Sequence, residues 1–210
     1  MSIDAVLWDF GGVILSSPFE AFNVFEAERG LPRDFVRGVN AVNPDTNAWA
    51  RYERNEIDLS GFDRLFLEES TALGHPVRGA EIIALLEGDL RPAMIEALRR
   101  CKERFKVACI TNNVATESRR PPEAAAAVAA VMGMFDLVIE SSKVGLRKPD
   151  PRIYELACRE LGVQPTRAVY LDDLGINLKP AKALGMRTIK VIDPAVAIGE
   201  LEAIVGFPLG

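Results

Sequence analysis

The sequence predicts an α/β fold, a parallel sheet with helices on both faces, interrupted by one all-helical insertion. Three observations predict it. Five short apolar runs have the continuity of strands buried on both faces. Most are followed by helical periodicity, the alternation that builds a parallel sheet. The stretch after the first run holds helical pattern and no convincing strand.

Taken in order, Ile3 to Asp9 is the first strand. Helical patterns then cover Phe19 to Glu28, Arg33 to Val42, Thr46 to Arg54, Leu59 to Leu73 and Val77 to Leu86. Residues 15–88 therefore form an insertion, with crossings near Ser16-Ser17-Pro18 and Gly88-Asp89-Leu90, and 1–14 with 89–210 form the core. Alternation resumes with a helix over Pro92 to Glu103 and a strand over Lys106 to Thr111. Pro121-Pro122-Glu123 starts an alanine-rich helix, since the first turn tolerates proline. Strands at Asp136 to Glu140, Arg167 to Leu171 and Arg187 to Ile192 alternate with helices at Pro151 to Leu161 and Leu178 to Leu184. Ligands of such sheets bind outside the carboxyl ends of the strands. An insertion leaving directly after the first strand hangs over that end, where a lid belongs.

Composition narrows the function. The 210 residues are 49% hydrophobic and 26% charged, with a net charge of −5. That balance supports a sizeable core and carries no electrostatic footprint for nucleic acid or an anionic membrane. MSIDAVLWDF lacks the basic start and apolar run of a signal peptide, and no run approaches the ~20 apolar residues of a membrane span. A cytoplasmic protein is the expectation. Cys101, Cys109 and Cys158 lack metal-type spacing, and Cys109 lies in an apolar run where a buried, inert thiol is expected.

Polar groups stand at the ends of these runs. Asp9 closes the first, before Gly11 and Gly12; it either caps the following loop or meets a small ion that the glycines let approach. Thr111 and Asn112 end the second, as a plain turn or a phosphate cradle. Lys148, before Pro149, is either solvated or an ammonium for a phosphate or a crowded carboxylate. Asp172-Asp173 end the fourth; adjacent carboxylates repel, and oxygen-only ligation of this kind suits Mg²⁺. The predicted sheet brings all four sites to one edge.

Four runs together resemble the motifs of the haloacid dehalogenase superfamily: Trp8-Asp9-Phe10-Gly11-Gly12-Val13, Ile110-Thr111-Asn112-Asn113, Glu140 to Pro149, and Leu171 to Lys182. Within it, the sequence is similar to the N-terminal phosphatase domain of soluble epoxide hydrolase and its stand-alone bacterial relatives. The resemblance implies a Rossmann-like three-layer α/β/α core with an inserted all-helical cap. It implies a Mg²⁺-dependent phosphatase acting on a small phosphorylated substrate. Asp9 would be the nucleophile, forming an aspartyl-phosphate, and Lys148 would steady the charge. Thr111 and Asn112 would bind the phosphoryl group. Asp9, the carbonyl of Gly11 and Asp173 would hold the metal, with Asp172 and Asn177 in support.

One position departs from the pattern. Most phosphatases of this family carry a second aspartate, the general acid, where this chain has Gly11. Loss of a positioned general acid forfeits ~10²–10⁴ in rate. Three readings stay open: leaving groups that need no proton, a proton from a water or a cap acid such as Glu53, Glu56 or Asp58, or a weakened member that only binds phosphorylated ligands. Metal-independent 2-haloacid dehalogenation is a further alternative, disfavoured by Asp172-Asp173. Phosphonate cleavage by a cap lysine is disfavoured because residues 15–88 contain no lysine. Of the remaining residues, His75 reads as a turn residue, Trp49 and Tyr52 as core packing, and Arg119-Arg120 as a solvated helix start.

Overall fold

The computed structural model describes residues 2–114 and 120–210; Arg119 lies outside them. Strands β1 (Ala5–Trp8), β2 (Lys106–Thr111), β3 (Leu137–Glu140), β4 (Ala168–Asp172) and β5 (Arg187–Lys190) form one sheet in the order β3-β2-β1-β4-β5. Every pairing is parallel, with Trp8 level with Cys109 on one side and Leu171 on the other. The next residue of each strand is thus at the same height, which aligns Asp9 with the ends of β2 and β4. The chain order reverses across β1, and the crevice at such a switch point is where ligands bind.

Alternation along β1 explains the three layers. Val6 and Trp8 point into a cluster with Met94 and Leu98 of α6 (Pro92–Lys102) and Leu201 of α11 (Pro194–Val205). Ala5 and Leu7 point the other way, onto Ile153 and Ala157 of α9 (Pro151–Leu161) and Ala181 of α10 (Gly175–Ala183). Both faces exclude water, so the strand is apolar at every position until Asp9. Helix α7 (Pro122–Met132) and the short α8 (Ser141–Val144) flank β3 in sequence. Helix α11 has no counterpart in the sequence reading. Its largely apolar composition hides a 3.6-residue period, although Asp193 caps it by accepting from Val196 N at 3.0 Å.

Between β1 and α6 lie five helices: α1 (Pro18–Glu28), α2 (Phe35–Ala41), α3 (Ala48–Glu53), α4 (Leu59–Ala72) and α5 (Gly79–Ile83). They enclose their own cluster, centred on Phe22, Val36, Tyr52, Phe62 and Phe66. Asn47 and Asp58 cap α3 and α4, accepting from Ala50 N at 2.8 Å and Gly61 N at 2.7 Å. The two crossings are pinned together by a Leu15–Leu90 bridge and by Asp89 N donating to Ser16 Oγ at 2.9 Å. Gly88 is needed there, because a Cβ would lie 2.5 Å from the Ser16 carbonyl oxygen. His75 follows α4 and packs edge-on against Phe35, a turn residue in contact with the insertion's core.

All three cysteines are buried and free, and burial pushes the Cys101 thiol up to about 12. Among the described residues no helix is long and apolar enough to cross a membrane.

Candidate active site

Asp9 is the first residue beyond β1, held level with β4 by its backbone N–H donating to the Leu171 carbonyl at 2.8 Å. Its Oδ1 accepts from Phe10 N at 2.7 Å and lies 2.7 Å from Lys148 Nζ. The same ammonium is 2.9 Å from Asp172 Oδ2. Lys148 is 1% exposed and Asp172 fully buried, so this is a dry carboxylate–ammonium–carboxylate line. Lys148 is therefore not the solvated side chain that a lone lysine usually is. Burial works against its charge, but Asp172 and Asp9 outweigh that and hold its pKa above the ordinary value. Burial pushes the Asp9 carboxyl well up, with Lys148 opposing and Asp172 adding to the rise.

Asp172 has its acceptor capacity filled. Leu174 N donates to it at 2.8 Å, Asn177 Nδ2 reaches both oxygens at 3.1 Å, and the Tyr170 hydroxyl adds a further bond. Asn177 is fixed in turn by the Tyr154 hydroxyl donating to its carbonyl at 2.7 Å. Asp173 differs: burial, then repulsion from Asp172, push its carboxyl up to about 6. Its one hydrogen bond from a side chain among the described residues is a long one, 3.5 Å from Ser17 Oγ.

Carboxylate oxygens of Asp9, Asp172 and Asp173 lie within 4.8 Å of one another. Three carboxylates face one ammonium, and hard oxygen donors with surplus negative charge fit Mg²⁺. Asp172 is already saturated, so Asp9 and Asp173 are the carboxylates left to face a cation. Gly12, at φ +75°, is what lets Asp173 approach: a Cβ there would sit 2.2 Å from Asp173 Oδ2. Arg91 braces the same loop by donating to the Gly12 carbonyl at 2.8 Å. Neither Arg91 nor Ser17 was singled out by the sequence, since nothing local ties either to a residue that distant. A Cβ at Gly11 would meet nothing within 4 Å, so the position has open space for a side chain.

Thr111 ends β2, nearly buried, on the wall of a cavity of about 740 Å³ that opens over Asp9. Asn112 lines the same cavity, and its side chain is committed to the Lys148 backbone. Oδ1 accepts from Lys148 N at 2.8 Å, while Nδ2 donates to the Lys148 carbonyl at 3.0 Å and to Glu53 Oε2 at 3.2 Å. The insertion supplies a largely apolar part of the cavity wall, including Phe19, Phe22, Trp49, Ile83 and Leu86. Tyr52 packs in the insertion's core as expected, whereas Trp49 faces the cavity.

Of the three acids considered as proton sources, only Glu53 lines the cavity. Glu56 pairs with Arg54 at an exposed position, and Asp58 caps α4. Both Glu53 oxygens accept hydrogen bonds, Oε1 from the Trp49 indole at 2.9 Å and Oε2 from Arg147 Nε at 2.6 Å.

A doubly wound parallel sheet with its acidic cluster at the switch point defines the class: an α/β protein of Rossmann-like architecture. Residues 3–185 match the model of the haloacid dehalogenase-like hydrolase family, and the chain belongs to that family. It is 32% identical to pig bifunctional epoxide hydrolase 2 over 100% of this chain and 40% of that protein. It is 32% identical to phosphatase MT3486 of Mycobacterium tuberculosis over 91% of this chain and 88% of that one. Among solved structures, a family enzyme of Bacteroides thetaiotaomicron in complex with magnesium and inorganic phosphate superposes with a TM-score of 0.60. Identity there is 20%, over 90% of this chain and 94% of that one. The chain spans between 20% and 40% of the length of the longer relatives it matches. The family is one of hydrolases, and its members similar to this chain include a protein named as a phosphatase.

Proposed function

We propose that this chain is a Mg²⁺-dependent phosphatase that hydrolyses a small phosphate compound through an aspartyl-phosphate on Asp9, with residues 15–88 acting as a cap. The observation that carries this reading is the buried Lys148 ammonium between Asp9 and Asp172, with Asp173 alongside. Lys148 opposes the burial that favours the neutral form of Asp9, and so supports the ionised carboxylate that a nucleophile requires. Asp172 does not react; it aims Lys148. Thr111 at the end of β2 is placed to hold a phosphoryl oxygen, together with backbone N–H groups of its loop. Asp9, Asp173 and the carbonyl of Gly11 would hold Mg²⁺, which when bound draws charge from the phosphoryl oxygens. The apolar cavity wall fits a substrate whose organic part is apolar.

Gly11 leaves no carboxyl two residues after Asp9, and Glu53 is engaged by Trp49, Arg147 and Asn112. Phosphates whose leaving group needs no proton, such as aryl or acyl phosphates, are the substrates this site serves best. Gly11 equally favours a second reading, a member with weak turnover that retains phosphoryl-ligand binding. Dehalogenation is disfavoured because Asp9, Asp172 and Asp173 crowd negative charge where an anionic haloacid would have to enter.

A turnover screen across aryl, acyl and alkyl phosphates with Mg²⁺ tests both points. We expect aryl and acyl substrates to exceed alkyl ones by about 10² or more, the order of a missing general acid. Activity should vanish with chelator and in Asp9→Asn. Hydrolysis that survives Asp9→Asn would reject the proposed intermediate.

A further inference from the structure

Glu53 lies at the end of α3, is 6% exposed, and hydrogen-bonds to two residues of the core. Its Oε2 is shared by Arg147 Nε at 2.6 Å and Asn112 Nδ2 at 3.2 Å. Both partners belong to the Lys148 neighbourhood. Arg147 is the residue before it, and Asn112 brackets the Lys148 peptide, accepting from its N–H and donating to its carbonyl. Arg147 also donates to the Pro44 carbonyl at 3.0 Å, a second tie to the insertion. On its other oxygen Glu53 holds the indole of Trp49, which forms part of the cavity wall.

These bonds form one continuous path. It runs from Trp49, where a substrate's organic part would press, through Glu53 to Asn112 and Arg147, and along the Lys148 backbone to the ammonium on Asp9. We propose that Glu53 is a positioning residue: it grips the Lys148 loop from the insertion, so that the ammonium is registered on Asp9 only while the insertion is seated. The proposal rests on the reading of Asp9 and Lys148 as the reacting pair. Physically, a carboxylate removed from water is held by the few donors aimed at it. Replacing one of its oxygens by an amide NH₂ turns an acceptor against those donors. Asn112 then loses one of the groups that orient it, and the bracket on Lys148 loosens.

The test uses the full chain with Mg²⁺ and phenyl phosphate, comparing wild type with Glu53→Gln, which is isosteric. We expect kcat to fall about tenfold or more, as small misplacements of reacting groups do, with KM changed less than about twofold. Hydrogen exchange of the Lys148 amide should quicken about tenfold as its bond to Asn112 weakens. Arg147→Lys, which keeps a cation opposite Glu53, should fall between wild type and Arg147→Met in both readouts. Should Glu53→Gln fail to fold, Trp49→Phe removes one donor to Glu53 without touching its charge and should move both readouts less, in the same direction. The exchange measurement needs no turnover, so it judges the grip separately from the Asp9→Asn control, which judges the reacting pair. Lys148 exchange as slow as in wild type overturns the proposal. So does a Glu53→Gln protein that loses thermal stability while kcat stands.

Discussion

Buried charge is handled differently in the core and in the helical insertion. In the insertion, Glu26 accepts the backbone N–H groups of Asp34 and Val36 at 2.7 and 2.9 Å, and Glu53 faces Arg147, Asn112 and Trp49. Each of these carboxylates is satisfied by the protein alone. At the carboxyl ends of β1 and β4, Asp9 and Asp172 share the Lys148 ammonium, and Asp173 lies alongside them. Only Asp172 is saturated there. Surplus charge kept out of water is costly, and it marks the place where something from outside the chain completes the balance. The insertion carries structure and the cavity wall; the core carries an unbalanced site.

Replacing Lys148 should break this contrast most severely. Lys148→Met leaves Asp9 and Asp172 buried without their shared cation, and losing one partner of a buried pair costs about 3–5 kcal/mol. Turnover should fall by about 10³ or more, because Asp9 would then favour its neutral form. Cutting the exposed Arg64–Glu68 pair of the insertion should cost under about 1 kcal/mol. Chemical denaturation of the two variants measures the difference. Equal losses would show that the site is no more strained than the surface.

Gly11→Asp sharpens the chemical half of the contrast. A side chain has room there, and a restored general acid should raise kcat on alkyl phosphates by about 10²-fold, with little gain on acyl phosphates. No gain, with fold and Mg²⁺ binding intact, would reject the missing-acid explanation.

Asp173 gives a pH signature. Its folded carboxyl sits near 6, above the ordinary 3.8, so the folded state holds its proton more tightly than the unfolded state. Metal-free stability should therefore fall as pH rises between those two values and level off above them. Mg²⁺ should offset the fall near neutral pH. Denaturation with chelator and with Mg²⁺ from pH 4 to 7 checks the sign, and Asp173→Asn should flatten the metal-free slope.

The smallest effect belongs to the cavity wall. Leu86→Ala should raise KM for an aryl phosphate with an apolar tail by a few-fold, the size of a trimmed hydrophobic contact, and leave acetyl phosphate nearly unaffected.

Much of this was legible in the chain. Apolar runs at β1, β2 and β4 are continuous because both faces of the sheet are covered, so each strand ends visibly where a polar residue appears. Asp9, Thr111 and Asp172-Asp173 stand at those ends, and parallel pairing places them at one height. Helix α11 escaped notice because its apolar composition masks the period. The tie of the Asn112 side chain to Lys148 was not legible, because an amide beside a strand end looks the same whether it faces a ligand or a neighbouring peptide.

By itself the sequence determined the layered sheet, the helical insertion and the edge at which carboxylates gather, since periodicity and strand ends are local properties of the chain. Only the tertiary structure decided which charges balance. Glu53 and Arg147, separated by 94 positions, meet across the insertion and the core, while Arg91 reaches the Gly12 carbonyl and Ser17 reaches Asp173. Such pairings depend on where packing brings distant segments together, and no spacing along the chain encodes that distance.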